Sequence, residues 1–119
     1  MPKKILIVED NDFLREEIIA IVEETEQSIA FGVDSAEAAE LTLLSDRFEV
    51  ILADVNLPGM DGISLLRSAI NKHPGIVGII CSGHRIPAPL TNFYQVPKEE
   101  AIIALPRLLK KLFPLENGM

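Results

Sequence analysis

The chain has 119 residues, 48% of them hydrophobic, which supplies the core of one ordinary domain and leaves too little for a second. Eleven Lys and Arg stand against eighteen Asp and Glu, a formal charge of −7, so the chain has no general electrostatic pull toward nucleic acid and direct binding to it is not expected. The single cysteine, Cys81, excludes an internal disulfide, and no Cys/His cluster has zinc-ligand spacing, which fits a reducing cytoplasm.

The chain opens on an apolar run that meets Glu9 and Asp10 almost at once. That run is far too short for a signal peptide or a membrane span, so a cytoplasmic chain with no membrane association is expected. Short apolar stretches over residues 5–8, 29–33, 50–53 and 76–81 are rich in Ile and Val and alternate with helix-like segments. Such stretches are the mark of strands buried on both faces of a parallel sheet. Asn11 and Asp12 are candidate caps for a first helix, whose inner face is marked by Leu14, Ile18, Ile21 and Val22. Asp34 and Ser35 precede a second face of Ala36, Ala39 and Leu43. Ile63, Leu66 and Ile70 mark a third, which His73, Pro74 and Gly75 bring to an end.

Beyond the fourth apolar stretch, Pro87 and Pro89 predict an extended loop where a helix is due. A short strand over residues 93–96 follows. Ala101, Ile102, Leu105, Leu108, Leu109 and Leu112 then trace one face of a last helix. Pro106 inside it predicts a kink or break near Ile102, whose carbonyl loses its partner. Lys110 and Lys111 complement the dipole at its carboxyl end, and residues 115–119 are expected to fray. No repeat, low-complexity stretch or linker divides the chain. The alternation predicts a doubly wound α/β sandwich with right-handed crossovers and its chemistry at the carboxyl ends of the strands.

That rule gathers Glu9 and Asp10 from the first strand, Asp54 from the third and Ser82 from the fourth on one rim. Packed carboxylates repel one another, and a hard cation with oxygen ligands, Mg²⁺ above all, relieves the repulsion. A carboxylate beside such a cation can accept a phosphoryl group, because the metal neutralises charge developing on the phosphoryl oxygens. Taken singly, an acidic pair at a strand end is usually a solvated rim, and a serine before a glycine is commonly a turn former. Asp54 is different, since a carboxylate that ends an apolar strand is costly to keep for structure alone.

The stretch VILADVNLPGMDG over residues 50–62 resembles, almost residue for residue, the phosphorylation strand and following loop of the response-regulator receiver family. ILIVED over residues 5–10 resembles the first strand of that family with its acidic pair. The resemblance covers nearly the whole chain, and the chemotaxis regulators are the family's best-known single-domain members. It implies a five-stranded, flavodoxin-like receiver domain over residues 1–114, with residues 115–119 as a short tail. It further implies that Asp54 is the phosphoacceptor and that Glu9, Asp10, Asp54 and the backbone carbonyl of Asn56 hold Mg²⁺. Ser82 matches the hydroxyl that binds a phosphoryl oxygen, Phe93 the switch aromatic, and Pro97 a proline that usually follows a cis bond. The implied function is phosphoacceptor in two-component phosphorelay signalling, with a sensor histidine kinase or phosphotransfer protein as donor and a downstream protein as target. No enzymatic activity is implied beyond Mg²⁺-dependent self-phosphorylation and autodephosphorylation.

Two departures stand out. The family has a lysine before the proline, and this sequence has Val96. Lys98 needs only reach to act as a point charge, yet a residue after a cis proline normally points elsewhere, so a weakened switch is expected. Secondly, only eleven positions separate Ser82 from Phe93. A helix of about 11–12 residues with its connections does not fit there, and the fourth helix is expected to be missing or truncated. These departures support an alternative, a pseudo-receiver that works through protein contacts without a phosphorylation-driven switch. Asp10-Asn11-Asp12 also resembles the aspartate motif of haloacid-dehalogenase phosphatases, but the late acidic pair which that family needs is represented only by Glu99 and Glu100 on a helix. A dinucleotide-binding reading lacks its glycine-rich turn. His84 is a candidate for tuning dephosphorylation, and Cys81 for a small buried hydrophobe.

Overall fold

Each apolar stretch becomes a strand of one sheet. In the computed structural model, which describes residues 2–25, 27–83 and 93–114, these are β1 (Lys3–Val8), β2 (Ser28–Val33), β3 (Val50–Ala53), β4 (Val77–Ser82) and β5 (Phe93–Pro97). Their order is β2-β1-β3-β4-β5 and every pairing is parallel. This is a doubly wound, flavodoxin-like fold, with the connecting helices α1 (Asp12–Glu23), α2 (Ala36–Ser45), α3 (Gly62–Lys72) and α4 (Ala101–Leu112). A single 3₁₀ turn, η1 (Lys98–Glu100), joins β5 to α4.

The two-residue period of a strand divides the core into two layers. Leu6, Val8, Ile51, Ala53 and Ile80 point toward α2 and α3, where they meet Ala39, Leu43, Leu65 and Leu66. Ile5, Ile7, Val50, Leu52, Ile79 and Cys81 point the other way and pack with Ile18 and Val22 of α1 and Leu105 and Leu109 of α4. Fully burying one such aliphatic side chain contributes about 1.5–3 kcal/mol, so strands of this composition stay in the centre of the sheet. The second stretch does not follow the expectation of burial on both faces. β2 is an edge strand, and Ile29 and Phe31 remain 38% and 42% exposed.

Local capping sets where the helices begin. Asn11 Oδ1 accepts from Leu14 N–H at 2.9 Å, Ser35 Oγ from Ala38 N–H at 3.1 Å and Asp61 Oδ1 from Ser64 N–H at 2.9 Å. α3 ends at His73, and Gly75 turns the chain with φ at +96°. α4 runs unbroken from Ala101 to Leu112 with Pro106 inside it, so of the expected kink or break the break does not occur. Ile102, which faces the missing donor, lies on the outward side of the helix with its side chain 74% exposed. A proline on that side leaves the deprived carbonyl to solvent. Four α-helices are present among the described residues, consistent with a truncated or missing helix between β4 and β5. Pro87, Pro89 and His84, with the expectations attached to them, lie outside the described residues, as do residues 115–119. No helix among the described residues is long and apolar enough to cross a membrane.

Candidate functional site

Parallel strands end on a common rim, and here two of them deliver acidic residues at their last buried step. Glu9 follows Val8 and Asp54 follows Ala53, two residues that pair across β1 and β3. Asp54 N–H donates to the Val8 carbonyl at 3.2 Å, which extends the ladder one step and sets Asp54 beside Glu9. Both are buried, at 2% and 7% exposure, and Asp10 stands exposed at the mouth. One carboxylate oxygen from each of Glu9, Asp10 and Asp54 can be chosen so that all three lie within 4.8 Å of one another.

The turn from β1 into α1 is locked by two groups. Asn11 N–H donates to Glu9 Oε2 at 3.1 Å. Arg15 donates through Nη1 to the Glu9 carbonyl at 2.9 Å and through Nη2 to Asp12 Oδ1 at 2.6 Å. Arg15 went unremarked in the sequence reading, although its i,i+3 spacing from Asp12 is a recognisable pair signal. Beneath the pocket, Gly62 N–H donates to the Val55 carbonyl at 2.8 Å and seats the start of α3 against the strand end that carries Asp54.

The main correction concerns charge. The Val96–Pro97 bond is trans, like every peptide bond among the described residues, and β5 stays extended through Pro97, which pairs with Ser82. With no turn demanding the cis isomer, the lower-energy trans form holds. Val96 is buried in the apolar layer beneath α1 and α4. The chain then enters η1, and Lys98 reaches back over the rim. Its Nζ lies 3.1 Å from Asp54 Oδ2 and 3.3 Å from Glu9 Oε1. The expectation that Lys98 points away is therefore overturned.

The electrostatics follow from burial and pairing. Burial pushes the Glu9 carboxyl above the usual range, opposed by the Asn11 N–H and by Lys98, while Asp54 adds to the upward push. Burial works against the charge of Lys98, but its hydrogen bond to Asp54 and the field of both carboxylates outweigh that and hold the ammonium above its usual value. Cys81 lies just below the rim, and burial pushes its thiol up to about 11, as befits a packed hydrophobe.

The donor set suits a hard divalent cation: all-oxygen ligands, two of them buried, and Glu9 Oε1 shielded from solvent with only the Lys98 ammonium, at 3.3 Å, beside it. Ser82 is buried at the end of β4, on the same rim. Asn56 lies exposed in the loop after Asp54. Phe93 is buried on the α3 side of the sheet, close to Gly78.

Comparison with known proteins agrees with this architecture. The model of the response regulator receiver domain matches residues 5–102. A protein-glutamate methylesterase/protein-glutamine glutaminase from Cereibacter sphaeroides is 37% identical over 82 residues, covering 68% of this chain and 22% of its own. The chain spans about a fifth of the length of such longer relatives. The response regulator receiver protein CpdR of Brucella abortus is 27% identical over 110 residues, covering 92% of this chain and 90% of its own. A CheY-like receiver domain from Methylobacillus flagellatus superposes with a TM-score of 0.82 at 21% identity, covering 94% of this chain and 99% of the other, which is a likeness of fold. With the family model spanning most of the sequence and the acidic rim where the fold puts its chemistry, the chain belongs to the response regulator receiver domain family of two-component systems.

Proposed function

We propose that this receiver domain accepts a phosphoryl group on Asp54 in a Mg²⁺-dependent reaction, as part of a two-component phosphorelay. The observation that carries the reading is the pairing of Asp54 Oδ2 with Lys98 Nζ at 3.1 Å inside a pocket that also holds Glu9 and Asp10. One carboxylate ends a buried strand, faces a fixed positive charge, and has two further carboxylates beside it. Structural burial alone gives no reason for that combination.

In this reading Glu9, Asp10 and Asp54, with the Asn56 carbonyl, hold the ion. Bound there, it neutralises charge on the phosphoryl oxygens. Asp54 is the nucleophile: a carboxylate oxygen forms the new bond to phosphorus as the bond from phosphorus to the donor's leaving atom breaks. Lys98 supplies positive charge on the side of the pocket nearest η1 and α4. Ser82 offers a hydroxyl to a phosphoryl oxygen from β4. Arg15 and Asn11 hold the β1–α1 turn, so Glu9 keeps its position without spending a side-chain contact on the substrate. The donor is a phosphohistidine of a sensor kinase or phosphotransfer protein, the output a protein contact, and the compartment a reducing cytoplasm in which the Cys81 thiol stays free.

The pseudo-receiver reading rested on two departures. The uncharged Val96 no longer favours it, since Lys98 brings an ammonium to Asp54. The short interval before Phe93 still does. Incubation with acetyl phosphate and Mg²⁺ separates the two readings by intact mass. A single phosphoryl adduct that maps to Asp54 and is lost in Asp54→Asn supports the phosphoacceptor. Failure of any small-molecule donor to modify the wild-type chain favours the interaction module.

A further inference from the structure

α2 departs from the pattern of an ordinary surface helix. Ala36, Ala39 and Leu43 turn inward and are buried, which is the single apolar face such a helix needs. Leu41 and Leu44 carry further apolar bulk outside that face, where they stand 62% and 79% exposed. Between α2 and α3, which pack side by side, lies a groove of about 280 Å³ floored by Leu43, Leu65 and Ala69, and Leu41 and Leu44 line it as well. Contiguous exposed apolar surface of this kind marks a place where another molecule sits.

The charges of the groove are sorted along its length. A crossover helix returns antiparallel to the parallel strands it joins, so α2 and α3 both start at the rim that carries Asp54 and run away from it. Glu37 and Glu40 therefore line the end near the rim, and Lys72 and His73 line the far end. No ion pair among the described residues uses Glu37, Glu40 or Lys72. Two copies related by a two-fold axis that crosses the groove at right angles run antiparallel. The acidic end of each then meets the basic end of the other, with the exposed leucines of both copies between them.

We propose that the α2–α3 groove is a self-association surface whose occupant is a second copy of this chain, held by Leu41 and Leu44 and kept in register by Glu37 and Glu40 against Lys72. The surface lies on the opposite side of the sheet from α1 and α4. It uses no residue of the Asp54 pocket, so it stands apart from the phosphoryl-transfer reading. Two helices about 15 Å long make a small face, and a formal charge of −7 on each copy opposes association, so the contact is weak and reversible.

The test is sedimentation equilibrium of the full chain over a concentration series, with thermal unfolding to confirm that each variant is folded. The wild-type chain should dimerise with a Kd on the order of 0.1 mM. Leu44→Glu changes an exposed position and should leave a folded monomer. Lys72→Glu should weaken the dimer about tenfold, because a modest surface pair turns repulsive at two symmetric places. Adding Glu40→Lys to Lys72→Glu restores the net charge and should restore the dimer. A wild-type chain that stays monomeric to about 1 mM overturns the proposal. A dimer that Leu44→Glu leaves intact also overturns it, since that dimer uses another face. If Leu44→Glu does not fold, the charge variants decide: loss and rescue support the groove, and wild-type affinity in Lys72→Glu or no rescue overturns it.

Discussion

Gly62 presses against the backbone of Asp54: a Cβ at position 62 would stand 1.9 Å from the Asp54 carbonyl oxygen and 2.8 Å from its carbonyl carbon. The first turn of α3 can approach the strand end that carries Asp54 only because no side chain intervenes. We predict that Gly62→Ala pushes the two apart and costs about 1–3 kcal/mol, the usual range for overpacking against a fixed backbone. Gly83→Ala is the control, since nothing lies within 4 Å of a Cβ built there. Urea unfolding of the two variants checks this, and equal stabilities would refute the close-approach account.

The three carboxylates of the rim lead to a prediction about metal and stability. Mg²⁺ that binds the folded chain alone should stabilise it by about 2.7 kcal/mol at a concentration one hundred times its Kd. Asp10 is exposed, so Asp10→Ala should change metal-free stability by no more than about 0.5 kcal/mol while losing most of the Mg²⁺ response. Thermal unfolding with Mg²⁺ and with a chelator is the measurement. Equal shifts in both proteins would remove Asp10 from the site.

Asp61 caps α3, accepting from Ser64 N–H at 2.9 Å and from Ser64 Oγ at 3.0 Å. The Ser64 N–H bond holds its carboxyl below the usual range, against a slight opposing loss of hydration. The folded-state pKa is thus depressed, so its contribution is present above the unfolded value near 3.9 and is lost as pH falls through the lower folded value. Asp61→Ala should cost about 1 kcal/mol at neutral pH. That difference should shrink below about pH 4. A difference that holds constant into acid would mean that the charge of the cap contributes nothing.

Cys81 provides a check on the inner layer beneath the rim. With its thiol pushed up to about 11 by burial, almost no thiolate exists near neutral pH, and α1 and α4 cover the sulfur. A disulfide reagent at neutral pH should modify it only after denaturation. Rapid reaction of the native chain would show that the α1–α4 side opens readily.

Much of this was legible in the residues. Leu6 and Val8 alternate with Ile5 and Ile7, and that period already assigns each side chain to one of two layers, because a strand turns successive side chains to opposite faces. Asn11, Ser35 and Asp61 could be read as helix starts because a cap acts within three residues. The edge position of β2 could not be read, since an Ile- and Phe-bearing stretch looks the same whether or not a helix covers it. Whether Pro106 breaks the helix could not be read for a related reason: its cost depends on whether the deprived carbonyl faces water, which is a property of the packed helix.

The alternating elements, the two apolar layers and the arrival of Glu9, Asp10, Asp54 and Ser82 on one rim all follow from local periodicity and from the common direction of parallel strands, and so could be read from the order of residues. The fold in three dimensions decided the charge balance of the pocket. Lys98 and Asp54 are 44 positions apart, and their contact exists because β5 lies beside β4 and stays extended through Pro97 before η1 turns the lysine back. Contact between two charges depends on angstrom-scale distance, and in this chain that distance is set by the path of the backbone after a proline, which the order of residue types alone does not specify.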